Sequence, residues 1–379
     1  MIGEVRIENY KSIQKLKLEL GRVTVLIGEN GCGKSNILEA IALASAAADD
    51  KLDNEFLASR GIRVTEPQFM RSAFEKENST KDIGIELSGN NAEIKFVLQN
   101  NNQPYSKWTK RENNYYKTSE NPVDLERAFR EPRNSLLDYN IFLSNQHQHH
   151  VSTITKFKIP IQEFIIYSPE NQALRTFEKE GQIQPLGING EGLFKLLKVL
   201  NSDNQEQLNE INKKLQLIDW FQDFEAPPNL SSIQNSLQIK DRYLDPDLAY
   251  FDQRSSNEGF LFLLFYFALF ISDITPKFFA IDNIDASLNP RLCRRLMQEL
   301  VELTKKHDKQ VIFTTHNPAV LDGLDLDDDK QRLFVISRNQ LGYTKARRIL
   351  KPKPLEGQEP VKLSEAFLRG YIGGLPKNF

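Results

Sequence analysis

Cysteine is nearly absent from this chain: Cys32 and Cys293 are the only two in 379 residues. Two such thiols make neither a disulfide framework nor a zinc cage, and a reducing cytoplasm is the natural setting. Long apolar runs are lacking too. The most apolar stretch, FLFLLFYFALFI at residues 260–271, is short of the ~20 residues that span a bilayer, so it predicts a buried core helix and no membrane partner. Charge of one sign is also missing. Forty-nine basic residues against 51 acidic ones leave a net charge of −2, which excludes a polycation. Contact with DNA or another nucleic acid would need a local patch. The start, MIGEVRIENYKSI, has no basic segment followed by an apolar run, as a signal peptide would. Internal repeats and long heptad runs are absent, which argues against a solenoid or a coiled-coil arm.

What is present suits a large globular head. Hydrophobic residues make up 40% and charged residues 26%, enough for a sizeable core. Residues 4–10 and 15–20 alternate apolar with polar, as half-buried strands do. RVTVLIG, residues 22–28, is dense enough for a buried parallel strand, and NILEAIALASAAA after Lys34 reads as a helix. Residues 48–160 change character: polar, rich in Asn, Gln and Lys, with short alternating runs. They read as an inserted α+β lobe with an antiparallel sheet and a helix near 123–145. EFIIYS at 163–168 returns to a buried strand, and helical periodicity covers roughly 190–225. A strand at 277–282, a helix at 290–306, strand QVIFTT, a helix at 317–323 and strand RLFVIS follow. Strands alternating with helices predict an α/β fold with a largely parallel sheet.

Four segments carry chemistry. GENGCGKS, residues 28–35, fits GxxxxGK[ST], the phosphate-binding loop. Its Gly28, Gly31 and Gly33 let main-chain amides turn inward, Lys34 reaches the β- and γ-phosphates, and Ser35 helps hold Mg²⁺. Glu29, Asn30 and Cys32 complete the loop and Asn36 follows it, with Cys32 a small filler or a redox-sensitive thiol. FFAID ends in Asp282, at the carboxyl end of a buried strand, where a carboxylate can hold a metal. SSNEG, residues 255–259, opens the apolar helix with small polar residues suited to phosphate. TTHNP places His316 just past a strand.

These segments, in this order, resemble the ABC-type ATPase heads of the SMC/RecF-like class, and so does the opening EVRIENYKSIQKLKLEL. Within that class the chain resembles the compact AAA-family ATPases of bacterial antiphage and abortive-infection systems, relatives of the OLD-family ATPase half. The likeness covers about residues 1–45 and 160–350. It implies a P-loop NTPase head of ABC type, with a mixed, largely parallel sheet and an N-terminal antiparallel β portion. Residues 1–47 and 161–350 would form the head, with a helical subdomain at about 186–240. Residues 48–160 would be the inserted lobe and 351–379 a C-terminal tail. It implies that residues 28–35 are the Walker A loop and Asp282 the Walker B aspartate. Ser256 to Gly259 would be a degenerate signature, with Glu258 where glycine is common, and residues 287–290 the D-loop. His316 would be the switch histidine, and Gln172 the Q-loop glutamine at the metal, with Gln162 competing.

Where the family carries its hydrolytic glutamate, this chain has Asn283. An amide can orient water but cannot accept its proton near neutral pH. Asp285 is the candidate substitute base, so hydrolysis is predicted slow or partner-dependent. The resemblance implies ATP and Mg²⁺ as cofactors. It also implies a homodimer, or higher oligomer, with ATP between the Walker A face of one copy and the signature of the other. The leading expectation is a sensor or scaffold of a defence complex with a separate effector, a nuclease or toxin, because no Toprim-sized segment follows the last strand. The alternatives are a RecF-like DNA-bound repair ATPase and a nucleotide-locked scaffold without turnover. Weaker features are His147 and His150 in NQHQHH, the acidic run at 322–329, the basic run at 345–354 and the amphipathic tail.

Overall fold

The computed structural model describes residues 1–89, 92–104, 106–111, 115–118, 156–176, 185–226, 236–248, 250–351 and 361–375. The helix expected near 123–145 and the pair His147 and His150 lie outside these residues. The chain divides into two compact units. One comprises Met1–Phe164, Leu326–Lys351 and Ile372–Phe379; the other comprises Ile165–Asp325 and Pro352–Tyr371.

In the first unit, β1 (Glu4–Tyr10) and β2 (Ile13–Glu19) form a tight antiparallel hairpin. Its turn is entered through Asn9 and Lys11, both with φ in the left-handed region. Val5 and Ile7 are buried while Arg6 and Glu8 face out, the period-two pattern of a sheet with one wet face. β3 (Val23–Ile27) is buried throughout and leads through the glycine loop into α1 (Lys34–Ala48). Helix α1 is buried on nearly every face and packs on β1. The Gln162 side chain donates to Ala48 O at its carboxyl end.

Two short helices follow, α2 (Asn54–Ser59) and α3 (Pro67–Met70). Then come β4 (Ile83–Gly89), β5 (Ala92–Gln99), β6 (Thr109–Lys110) and β7 (Tyr115–Thr118). These strands do not make a sheet of their own. β4 pairs with β1 from Glu4↔Ser88 to Glu8↔Gly84, giving the order β2-β1-β4-β5, with β6 and β7 both on β5. The compositional shift at residue 48 therefore does not coincide with an edge of the unit: the edge of β1 would expose unpaired amides without β4.

The second unit is built on the short strand β8 (Ile166–Tyr167). Three helices follow: α4 (Asn171–Thr176), α5 (Leu193–Asp203) and α6 (Gln205–Leu215). The helical periodicity read through residue 225 stops at 215. β9 (Phe221–Glu225), β10 (Gln238–Asp241) and β11 (Tyr250–Phe251) form a small antiparallel sheet. Phe221 and Phe224 turn one face of β9 inward, and Phe221 meets Phe260 at 5.3 Å between ring centroids. Side chains three apart fall on opposite faces of a regular strand; here the register on β10 shifts between Lys240 and Asp241, opposite Phe221 and Asp223, and that irregularity lets both rings be buried.

The apolar run is α7 (Glu258–Ile271), buried from Phe260 to Ile271. β12 (Phe278–Ile281) runs parallel to both β8 and β13 (Gln310–Thr315), with α8 (Pro290–Lys306) between β12 and β13 in sequence. Residues 317–323, expected as a helix, form a 3₁₀ turn over Pro318–Gly323. In the first unit, β14 (Gln331–Arg338) pairs parallel with β3 and antiparallel with the edge strand β15 (Thr344–Ile349). The tail helix α9 (Leu363–Leu368) docks on the 3₁₀ turn, where Ser364 bonds Asp322 through its amide and hydroxyl. Parallel pairs and an antiparallel N-terminal portion thus coexist, as expected. Among the described residues no helix is long and apolar enough to cross a membrane.

Candidate nucleotide-binding site

The glycine loop closes on itself. Lys34 Nζ donates to the carbonyls of Gly28 at 2.9 Å and Glu29 at 3.1 Å, and the residue is 6% exposed. Gly33 caps α1 at φ 107°, and a Cβ there would lie 2.1 Å from Thr344 Oγ1, so no other residue fits. Gly31, at φ 74°, is at the exposed part of the loop with Asn30. Two distant groups fix the loop. Arg338 Nε donates to Gly31 O at 2.8 Å, and Thr344 Oγ1 donates to Cys32 O at 2.9 Å. Asn36 Nδ2 donates to Ser12 Oγ at 2.6 Å, and Ser35 is half-buried at the start of α1. Burial raises the Cys32 thiol above its ordinary pKa, with the Lys34 ammonium, 3.9 Å from the sulfur, opposing. A buried neutral thiol does not fit the redox alternative.

In the second unit, β12 delivers Asp282 half-buried at its carboxyl end, with its amide on Tyr167 O at 2.8 Å. Thr314 Oγ1 donates to Asp282 Oδ1 and accepts from Asn283 N at 2.9 Å. Asn283 is exposed at φ 57°, in the left-handed region that asparagine tolerates better than glutamate.

Asp285 Oδ1 accepts from Thr315 Oγ1 at 2.6 Å, and Thr315 in turn accepts from Asn317 N at 3.0 Å. Adjacent strand residues point to opposite faces of a sheet. Thr315 shares the face of Phe313, which stacks on Phe270 of α7 at 6.2 Å. The Asp285 carboxylate accordingly adds to the burial that raises the Tyr266 hydroxyl of α7 and lifts the Cys293 thiol of α8 to about 11. Asp282 is held by Thr314 on the other face. Asp285 thus ties the turn after β12 to the end of β13.

Ser256 is 4% exposed and its Oγ has no hydrogen-bond partner among the described residues, while Asn257 caps α7 by accepting from Phe260 N at 2.8 Å. Gly259 lies against Ser287 O, 3.5 Å from where its Cβ would be, and Glu258 bonds the Ser287 hydroxyl. The signature and D-loop segments therefore touch. His316 is exposed immediately after β13. Gln172 is exposed on α4, whereas Gln162 is occupied at the end of α1. Among the described residues no group of three His, Cys, Asp or Glu side chains gathers as a metal site. One hydroxyl, one carboxylate and phosphate oxygens suit Mg²⁺, which seldom uses an all-protein cage.

Sequence reading missed Arg338, Thr344, Thr314 and Arg175. The last donates to the carbonyls of Gln253 and Arg254, just before the signature, and of Ser256 within it. Thr314 lay in a motif already noticed; the others are brought in from far along the chain.

Residues 23–322 match the family model described as "AAA domain, putative AbiEii toxin, Type IV TA system". The chain belongs to this AAA family. Its fold is that of an SMC head: the structure titled "Crystal structure of the SmcHead bound to the C-winged helix domain of ScpA" aligns with a TM-score of 0.58 at 14% identity, covering 92% of this chain and 98% of that one. Curated relatives include "DNA replication and repair protein RecF" of Bacillus cereus (strain G9842), 30% identical over 90 residues, which are 23% of each protein. "Uncharacterized protein MJECL10" of Methanocaldococcus jannaschii is 31% identical over 115 residues, 28% of this chain and 50% of that protein. The chain thus spans half or less of these curated relatives.

Proposed function

We propose that this AAA-family chain binds magnesium-ATP, hydrolyses it slowly, and pairs with a second copy around it. We further propose that it serves as the sensor or scaffold of an antiphage defence complex whose effector is a separate protein. The observation that carries the nucleotide reading is Lys34. A buried ammonium resting on the carbonyls of its own loop stands where phosphate oxygens would be its stronger partners. The loop fits: Gly28 and Gly33 leave no room for a Cβ, a helix starts there, and Ser35 stands in its first turn. When bound, the metal would neutralise phosphate charge and polarise the bond that breaks. Lys34 would exchange its carbonyl partners for phosphate. Ser35 and Asp282 would hold the cation, and the Asn283 amide would orient a water without taking its proton. The defence assignment is supported by the family description, which names a toxin–antitoxin system.

The test is sedimentation of the full chain with and without a non-hydrolysable ATP analogue and Mg²⁺. We expect nucleotide to convert monomer to dimer, and Lys34→Ala to abolish both binding and dimerisation. Binding by Lys34→Ala equal to wild type would sink the reading. The RecF match favours one rival, a DNA-bound clamp. That protein would bind duplex DNA with ATP and no partner, losing affinity steeply as salt rises. Failure to bind DNA at low salt rejects it. Purification with genomically neighbouring proteins, with and without ATP, tests for the effector.

A further inference from the structure

We infer that Arg175 is a positioning residue: its guanidinium clamps the carbonyls of residues 253–256 and so presents the signature segment to a nucleotide held by a second copy. The inference rests on the dimer reading above.

The observation is one guanidinium on one loop. Arg175 Nη1 donates to Ser256 O at 2.8 Å, to Gln253 O at 3.4 Å and to Arg254 O. Its Nε donates to Asn171 Oδ1 at 3.3 Å, one helical turn earlier in α4. Three carbonyls aimed at a cation settle where the other half of each peptide points. The unit is planar and trans, so C=O of residue i and N–H of residue i+1 face opposite ways. With Ser256 O turned to Arg175, the amide of Asn257 faces away from it. Asn257 is the cap of α7, whose first amides carry the positive end of the helix. Ser255 N and Ser256 N are spent within the turn, on Asp252 O and Gln253 O, so the clamp turns the carbonyls inward and leaves the Asn257 amide, at the start of α7, as the donor facing away from it.

One further atom agrees with a site for a ligand: among the described residues Ser256 Oγ has no hydrogen-bond partner, in a residue 4% exposed. An unmet buried polar group is unfavourable by roughly 1–3 kcal/mol, so it is kept where something else satisfies it. Tetrahedral phosphate oxygens would satisfy the Ser256 hydroxyl as a donor. Lysine at 175 would keep a charge for the carbonyls but lose the Nε bond to Asn171 that holds the guanidinium in place.

Three full-chain variants test this: Arg175→Ala, Arg175→Lys and Ser256→Ala. The readouts are affinity for a fluorescent ATP analogue, which reports the Walker A loop alone, and analogue-dependent dimerisation by sedimentation. We expect each variant to bind nucleotide within about twofold of wild type. Arg175→Ala and Ser256→Ala should each weaken dimerisation about tenfold or more, the scale of one lost charge-assisted bond. Arg175→Lys should recover part of it. The double variant should be little worse than either single one, since both act on one contact. Variants that dimerise as wild type does, or losses that add in full, overturn the clamp while leaving the dimer reading intact. A wild-type chain that binds the analogue but stays monomeric overturns both. Should Arg175→Ala not fold, Arg175→Lys and Ser256→Ala still decide.

Discussion

Asn283 shows how one backbone angle constrains chemistry. At φ 57° it occupies a region that disfavours most side chains by ~1–2 kcal/mol. We expect Asn283→Glu to lower the thermal midpoint by that order and to raise phosphate release severalfold, because it supplies a proton acceptor beside Asp282. No rise in release would place the slow step elsewhere. Asp285→Ala should lower stability by about 1–3 kcal/mol through the lost Thr315 bond, yet leave turnover per folded molecule unchanged. Lost turnover at full folding would return Asp285 to the chemistry. The thiols give a pH expectation. Cys293 is raised to about 11 by burial, from an ordinary value of 9.0. A raised thiol pKa means that the folded state disfavours the anion. Its contribution is therefore complete below pH 9 and is lost as pH climbs through 9 towards 11. A chemical thiol titration at pH 8 should count no fast-reacting cysteine in the native chain and two after denaturation. A fast native thiol would contradict the burial of Cys32 and Cys293.

At the scale of elements, α7 is the member most easily recognised and most sensitive. Its Phe270 meets Phe279 edge-on at 5.1 Å and stacks on Phe313, so it joins the helix to β12 and β13 together. We expect Phe270→Ala to cost about 3–5 kcal/mol, visible as a large shift in denaturant midpoint. A shift under 1 kcal/mol would mean that this helix does not hold the strand that carries Asp282. Twelve consecutive apolar residues made α7 legible, since no polar face was available to mislead. The small sheet β9–β11 was not read as distinct from the preceding helices. Phe221 and Phe224 are spaced by three, which suits a helix and not a regular strand, and only pairing with β10 through a shifted register makes the segment a strand. The acidic run at 322–329 and the basic run at 345–354 were each ambiguous alone. The fold pairs them locally, Asp329 with Arg348 and Asp327 with Lys351.

For the whole molecule, ligand linkage gives the most direct expectation. Saturating nucleotide at about 100 times its dissociation constant stabilises by ~2.7 kcal/mol, so the thermal midpoint should rise with magnesium-ATP and not in Gly33→Ala. That substitution needs a Cβ where Thr344 Oγ1 stands. An unchanged rise in Gly33→Ala would mean that the loop is not the site. The sequence by itself determined the loop GENGCGKS, the strand ending in Asp282 and the apolar helix, because each is a contiguous run whose chemistry depends on near neighbours. Only the tertiary structure decided that Arg338 and Thr344 brace that loop across 307 and 312 residues. It alone decided that β4 completes the sheet of β1, that Asp285 faces the helices, and that Arg175 turns three carbonyls inward. Those outcomes depend on which face a side chain takes after the strands pair, and pairing between distant segments leaves no local mark in the order of residues.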